Sequence, residues 1–390
     1  MSTRGFEGIA VAAPVSLGYA RYSEHGAPWF VGAVLQELLA RSGLVKSALD
    51  GLSIASFTLA PDSVVTMTQY YGLEARYLES LPFGGASGVI ALRRAARAVQ
   101  AGDAEVVACI GADTNSPSGF RELVANFSGF TVDASWPYGA GGPNTPFSLI
   151  TARYMQETGA TREDFGRLCV AQRANARGFP QALLGNKPLT LQQYLDARQV
   201  AGPLHLFDCV MPCAGAEGYL VMSEERARHL GIPWARVRAA EERHNAFAAD
   251  EVGLRAGWHA FADALWENAG RGPADMDLLE TYDDYPVIAM LQMEALGFCA
   301  AGEAARFVRD TPLTVDGGGL PHNTSGGQLS VGQAGAAGGF LGFVEGLRQV
   351  CGQALGQQVP DARLALVSGY GMINYDRGLC ASAAVLERAS

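Results

Sequence analysis

Lysine is almost missing from this chain: Lys46 and Lys187 are the only two among 29 basic residues, and the rest are arginines. A Schiff-base mechanism needs a desolvated lysine. Lys46 at the end of a surface helix and Lys187 in a Gly-Asn-Lys-Pro turn are poor places for one. Charge is scarce as well, at 17% of residues, and the balance is acidic, with 29 Lys+Arg against 39 Asp+Glu. The net charge of -10 argues against nucleic acid or an anionic membrane surface as a partner. No apolar run reaches the roughly 18 residues of a spanning helix, so no membrane span is expected. The start, MSTRGFEGIAVAAP, lacks the apolar core and cleavage pattern of a secretory signal. Seven scattered cysteines, an odd number, read as reduced cytoplasmic thiols rather than a disulfide framework. The six histidines form no HxH or HExxH spacing. Cys209 and Cys213 have the spacing of a metal or redox pair but no second pair to complete it, so no metal site is expected.

What is present is a large apolar chain. At about 150 residues per domain, 390 residues make two or three domains or one duplicated unit, and 48% hydrophobic residues supply a large core. Strand-length apolar runs alternate with helical patterns, which predicts an α/β fold. Strands are read at Gly8–Ala13, Gly51–Phe57 and Ala104–Ala112, and helices at Trp29–Ser42, Gly84–Ala101, Phe147–Thr158 and Arg162–Arg177. The end of the chain repeats this grammar: a glycine-rich helix, Gly335–Val350, then a strand, Ala362–Val367, then Ser-Gly-Tyr-Gly. Two such half-units with glycine at helix–helix contacts suggest a duplication, although two ordinary strand–helix units would give the same pattern.

Four stretches carry a resemblance: FSLITARYMQETGATREDFGRLCVAQRANARGFPQA, PLTLQQYLDARQVAGPLHLFDC, YDDYPVIAMLQMEALGFC and LPHNTSGGQLSVGQ. In this order the chain resembles the thiolase superfamily over almost its whole length, in its sterol-carrier or lipid-transfer-type branch. The resemblance implies a duplicated five-layer αβαβα sandwich with a loop-rich insertion. It implies an N-terminal half at 1–235, including a loop domain at about 114–210, and a C-terminal half at 236–390. It also implies a homodimer, paired through the N-terminal sheet with Ala104–Gly111 as its edge, that handles acyl-coenzyme A thioesters with no covalently bound cofactor.

Measured against that family, the catalytic side chains are gone. Gly85, in Gly84-Gly85-Ala86-Ser87-Gly88, stands where thiolases carry the nucleophilic cysteine. Gln333 stands where the Gly-His-Pro histidine would be, and Val367 where the second cysteine would be. Acyl transfer through a thiolate needs those groups. The helix-start amides around Gly85, Ser87 and Gly88 remain available to an oxyanion, although first-turn hydrogen bonding is the better account of the Ser87 side chain.

Retro-aldol cleavage of a 3-hydroxyacyl-CoA needs neither cysteine, lysine nor metal. In Glu280-Thr281-Tyr282-Asp283-Asp284-Tyr285-Pro286, Tyr282 falls on the oxyanion-site asparagine of thiolases. The stretch is similar to that of the cysteine-less steroid side-chain aldolases of this branch, which use tyrosine chemistry. Tyr282 is therefore the candidate base, with Tyr285 as a second candidate. With an ordinary pKa near 10, it needs cationic or dipolar help. Structurally, an aspartate capping a helix that starts at Pro286 accounts for much of the same stretch. His322 is a further candidate, titrating near neutrality, with Asn323 and Ser325 as polar positioners; turn chemistry is the plainer account of that loop. The aromatic segment Phe127–Phe147 is expected to wall a wide apolar pocket for a bulky acyl group. Two other readings stay open: a degenerate thiolase-fold subunit of an acyltransferase complex, and an acyltransferase with a non-standard nucleophile. The resemblance implies a small zinc-ribbon/OB-fold protein or a thiolase paralogue as partner.

Overall fold

Two glycines with left-handed backbone, Gly84 (φ 51°) and Gly335 (φ 52°), each open a single 3-10 turn that leads into a buried helix. That conformation is costly for any other residue. In the computed structural model these paired helices form the centre of the molecule; residues 5–116 and 142–389 are described, with 119, 122, 129, 133 and 136–139 between them. The strands are β1 (Ile9–Ala20), β2 (Gly51–Ala55), β3 (Tyr77–Ser80), β4 (Val106–Asp113), β5 (Gln199–Ala201), β6 (Leu204–His205), β7 (Ala214–Ser223), β8 (Trp234–His244), β9 (Leu278–Glu280), β10 (Leu364–Asn374) and β11 (Arg377–Arg388). The helices are α1 (Ala27–Ser42), α2 (Val64–Tyr71), α3 (Ser87–Ala101), α4 (Asn144–Thr158), α5 (Arg162–Asn175), α6 (Leu191–Leu195), α7 (Glu224–Leu230), α8 (Gly257–Ala269), α9 (Pro286–Ala295), α10 (Ala304–Asp310), α11 (Gly327–Val331) and α12 (Gly338–Val350).

The main sheet runs β3-β2-β4-β7-β1-β8-β11-β10-β9. Its two ends repeat one plan. β2 pairs parallel with β4 and β4 antiparallel with β7; likewise β9 pairs parallel with β10 and β10 antiparallel with β11. The halves meet where Ala10, Val11 and Ala12 of β1 pair with Arg236, Ala235 and Trp234 of β8. α3 and α12 lie back to back between the two halves, α1 covers the outer face of β1, β4 and β7, and α8 covers β8 and β11. This is the αβαβα layering that the resemblance implies.

Small residues permit the central crossing. A Cβ on Gly88 would strike the carbonyl of Gly339, and one on Gly339 would lie 2.6 Å from the carbonyl oxygen of Gly84. Phe340, Phe343 and Leu347 of α12 are sealed in the same layer, each contributing roughly 1.5–3 kcal/mol of burial.

Two expectations need correction. β1 does not stop at Ala13 but continues to Ala20, because a bulge between Ala12 and Val15 carries the strand past Pro14. Nor is Ala104–Gly111 a sheet edge. β4 lies between β2 and β7 with every residue buried, as a continuous apolar run dictates; the outer strands are β3 and β9. No described helix is long and apolar enough to cross a membrane.

Candidate active site

A cavity of about 300 Å³ opens at the start of α3. Phe57, Phe147, Tyr285, Tyr370, Met372 and Ile373 give it an apolar wall, and its polar groups are Asn144, Cys209, Tyr282, Asp284 and Gln333. Gly84 and Gly85 form part of the lining. Among the described residues, it is lined by one carboxylate and no Lys, Arg or His.

Gly85 and Tyr282 fit each other. A Cβ placed on Gly85 would collide with ring carbons Cε2 and Cζ of Tyr282 and with the carbonyl oxygen of Tyr370. The phenol ring thus occupies the space that a side chain at position 85 would need. Gln333 Nε2 donates to the Tyr282 hydroxyl at 3.2 Å. Burial and then the neighbouring Asp284 push the Tyr282 pKa well above 10. No Lys, Arg or His among the described lining residues opposes this, so the cationic help that a tyrosine base needs is not supplied by a neighbouring side chain. Tyr285 donates to Asn144 Oδ1 and stacks on Phe147 with centroids 4.0 Å apart.

Asp283 faces the other way. Its Oδ1 accepts from the Gln328 backbone N–H at 2.9 Å, and its Oδ2 accepts from Gln172 Nε2 at 3.0 Å. It therefore holds the first turn of α11 rather than capping α9, whose N-cap is Tyr285 with Pro286 next. Burial raises its pKa to about 6 against those hydrogen bonds.

The 322–325 loop lies behind the cavity rather than in it. His322 is fully buried, bridged to Leu279 of β9, with Nε2 2.8 Å from Thr281 Oγ1. Burial lowers its pKa to about 3, so it does not titrate near neutrality. Asn323 Oδ1 accepts from Thr281 N–H at 2.8 Å, and Thr324 donates to Glu280. The hydroxyls of Ser325 and Ser87 are buried without a partner, so Ser87 does not supply the first-turn hydrogen bond expected of it. Val367 packs in the central core.

Cys209, Tyr370 and Asp284 line the cavity, a place the sequence did not assign to them. Cys209 faces the cavity with Sγ 3.9 Å from Asn144 Oδ1, while Cys213 packs elsewhere against Val331 and Leu341. Burial, helped by Asp208, pushes the Cys209 thiol up to about 12, too high for a thiolate nucleophile at neutral pH. Tyr370 enters from β10, where its hydroxyl accepts from Gly378 N–H. Asp284, weighed only as a helix cap, faces the cavity. Of the aromatic segment Phe127–Phe147, Pro143, Asn144 and Phe147 line the cavity; most residues before Gly142 lie outside those described.

Comparison with known proteins matches residues 239–386 to the thiolase C-terminal domain-like family. The steroid side-chain-cleaving aldolase of Thermomonospora curvata is 33% identical over 86% of this chain and 88% of its own. The 17-hydroxy-3-oxo-4-pregnene-20-carboxyl-CoA lyase of Mycobacterium tuberculosis is 32% identical over 86% and 89%. The solved Ltp2-ChsH2(DUF35) aldolase superposes with a TM-score of 0.83 at 29% identity, over 98% of each chain.

Proposed function

The chain belongs to the thiolase superfamily, and from that premise we propose that it is an acyl-CoA lyase cleaving a carbon–carbon bond of a bulky 3-hydroxyacyl-CoA by a retro-aldol step. One observation carries this reading: the Tyr282 ring fills the space that a nucleophile at position 85 would occupy. Chemistry at this site must therefore run without an acyl-enzyme. In the retro-aldol step the 3-hydroxyl loses its proton and its electron pair becomes a carbonyl. The C2–C3 bond breaks, and its electrons leave as a thioester enolate that is protonated at C2. The products are an aldehyde or ketone and a shorter acyl-CoA.

We assign Tyr282, steadied by Gln333, to donate a hydrogen bond where negative charge develops, together with the helix-start backbone at Gly85–Gly88. Tyr285 shapes the acyl wall. His322, Asn323 and Ser325 support the Glu280–Asp283 stretch from behind. The apolar wall and two relatives named for steroid substrates favour a polycyclic acyl group with its hydroxyl β to the thioester. The solved relative, a complex with a DUF35 protein, favours a small partner of that type. We read the protein as a cytoplasmic homodimer that needs no cofactor beyond the coenzyme A of its substrate.

The test is to incubate the purified chain, with and without such a partner, with a panel of 3-hydroxyacyl-CoAs and to identify products by mass spectrometry. The expected result is a ketone or aldehyde with a shortened acyl-CoA, and an intact protein mass that acetyl-CoA leaves unchanged. A stable acyl adduct, above all on Cys209, would overturn the reading in favour of acyl transfer.

A further inference from the structure

We infer that Asp284 is the base of this site, accepting the proton from the substrate's 3-hydroxyl. The inference rests on the retro-aldol reading and adds to it a group that the family resemblance did not point to.

Geometry carries the argument. Asp284 lines the cavity, is only 6% exposed, and has a buried Oδ1 with no hydrogen-bond partner. A buried, unpaired carboxylate oxygen is costly, and a ligand hydroxyl is the partner that would satisfy it. Its neighbour Asp283 has the same side chain but is held by Gln172 and Gln328; Glu280 Oε2 is also unpaired, but Glu280 does not line this cavity, so Asp284 presents the unmet carboxylate oxygen there.

Elimination points to the same residue. The other titratable groups lining the cavity are Tyr282, Tyr285, Tyr370 and Cys209, each pushed up by burial and each still protonated at neutral pH. Burial raises the Asp284 carboxyl well above the ordinary aspartate range and Asp283 raises it further, against the backbone amides of Tyr285 and Asp284 and the Tyr282 hydroxyl, which favour the ionised form. Among the described lining residues, Asp284 is the one carboxyl group, the side-chain type with the lowest ordinary pKa there, and its unpaired Oδ1 is available to take up a proton. In the reaction, the O–H electrons form the new carbonyl, the carboxylate becomes a carboxylic acid, and that acid holds the proton that C2 of the enolate then needs. The proton moves from oxygen to carbon, and no co-reactant is consumed.

The experiment measures turnover against pH for wild type, Asp284→Asn and Asp284→Glu, on a 3-hydroxyacyl-CoA that wild type cleaves, with partner present if wild type requires it. Asp284→Asn should lose on the order of 10²–10⁴ in turnover, with KM little changed and a melting temperature no lower than wild type. It should also lose the acidic limb of the pH profile, which in wild type lies above the ordinary aspartate range. Asp284→Glu should keep that limb while turnover falls by roughly tenfold or more through misplacement. If Asp284→Asn fails to fold, Asp284→Glu decides alone, because a merely structural carboxylate would leave the pH limb unrelated to residue 284. Asp284→Asn turning over within threefold of wild type on the same limb overturns the base assignment and leaves the lyase reading standing. A wild type that cleaves no member of the panel brings down both.

Discussion

Asp283 and Asp284 are adjacent, both buried and chemically identical, yet they serve opposite sides of the same wall. Asp283 turns inward and fastens α11 through two glutamines and the backbone. Asp284 turns toward the cavity and leaves an oxygen unpaired. The stretch divides in the same way on either side of them: Tyr282 and Tyr285 face the cavity, while Thr281 is held from behind by His322 and Asn323. The front residues line the cavity, and the rear residues pack behind it between β9, α5 and α11. That difference separates chemistry from support, so substitutions in front should cost turnover and substitutions behind should cost stability.

The largest effect expected outside the test of Asp284 comes from Tyr282→Phe. The ring still fills the space beside Gly85, so packing and melting temperature should hold, while turnover falls on the order of 10²–10³ through loss of one donor to the developing oxyanion. His322→Gln should do the reverse. The native imidazole is held at about 3 against an ordinary 6.5, so it stays neutral where the unfolded chain takes up a proton, and stability is lost as pH falls below 6.5. Between pH 6.5 and 5 this amounts to about 2 kcal/mol at roughly 1.36 kcal/mol per unit. The variant should flatten that acid slope in denaturant titrations and keep its turnover. If Tyr282→Phe turns over fully while His322→Gln is dead, the front and rear assignments are reversed.

The layered fold was legible because its signals are local: glycine-rich helix starts at Gly84 and Gly335, each followed by an apolar strand. The absence of a nucleophile was legible at Gly85 and Gln333 once the resemblance supplied the positions to inspect. Orientation within Glu280–Tyr285 was not. β9 ends at Glu280 and α9 begins at Pro286, so neither the two-residue period of a strand nor the helical period governs the residues between. His322 looked like a loop histidine free to titrate, and only the tertiary contacts of β9 show it sealed. Asn144, Cys209 and Tyr370 reach the cavity from three distant segments, and no spacing in the sequence brings them together. The extension of β1 past Ala13 was not legible either, because a bulge carries the strand through Pro14, a residue that usually interrupts strand pairing.

The smallest effect sharpens the comparison most, because its sign is opposite to that of His322. Asp283 is held at about 6 against an ordinary 3.8, so the folded chain keeps a proton that the unfolded chain has already released. Its contribution is fully present below about 3.8 and is lost as pH rises through 6. Between pH 5 and 6 the slope is worth about 1 kcal/mol. Asp283→Asn keeps an oxygen to accept from Gln328 N–H and removes the titration, so the loss of stability between pH 5 and 6 should shrink by that amount, with turnover changing far less than in Asp284→Asn. Denaturant midpoints measured at half-unit pH steps would show it. If Asp283→Asn instead abolished turnover at unchanged stability, the inward-facing aspartate would belong to the chemistry, and the division between front and rear would fall at this pair.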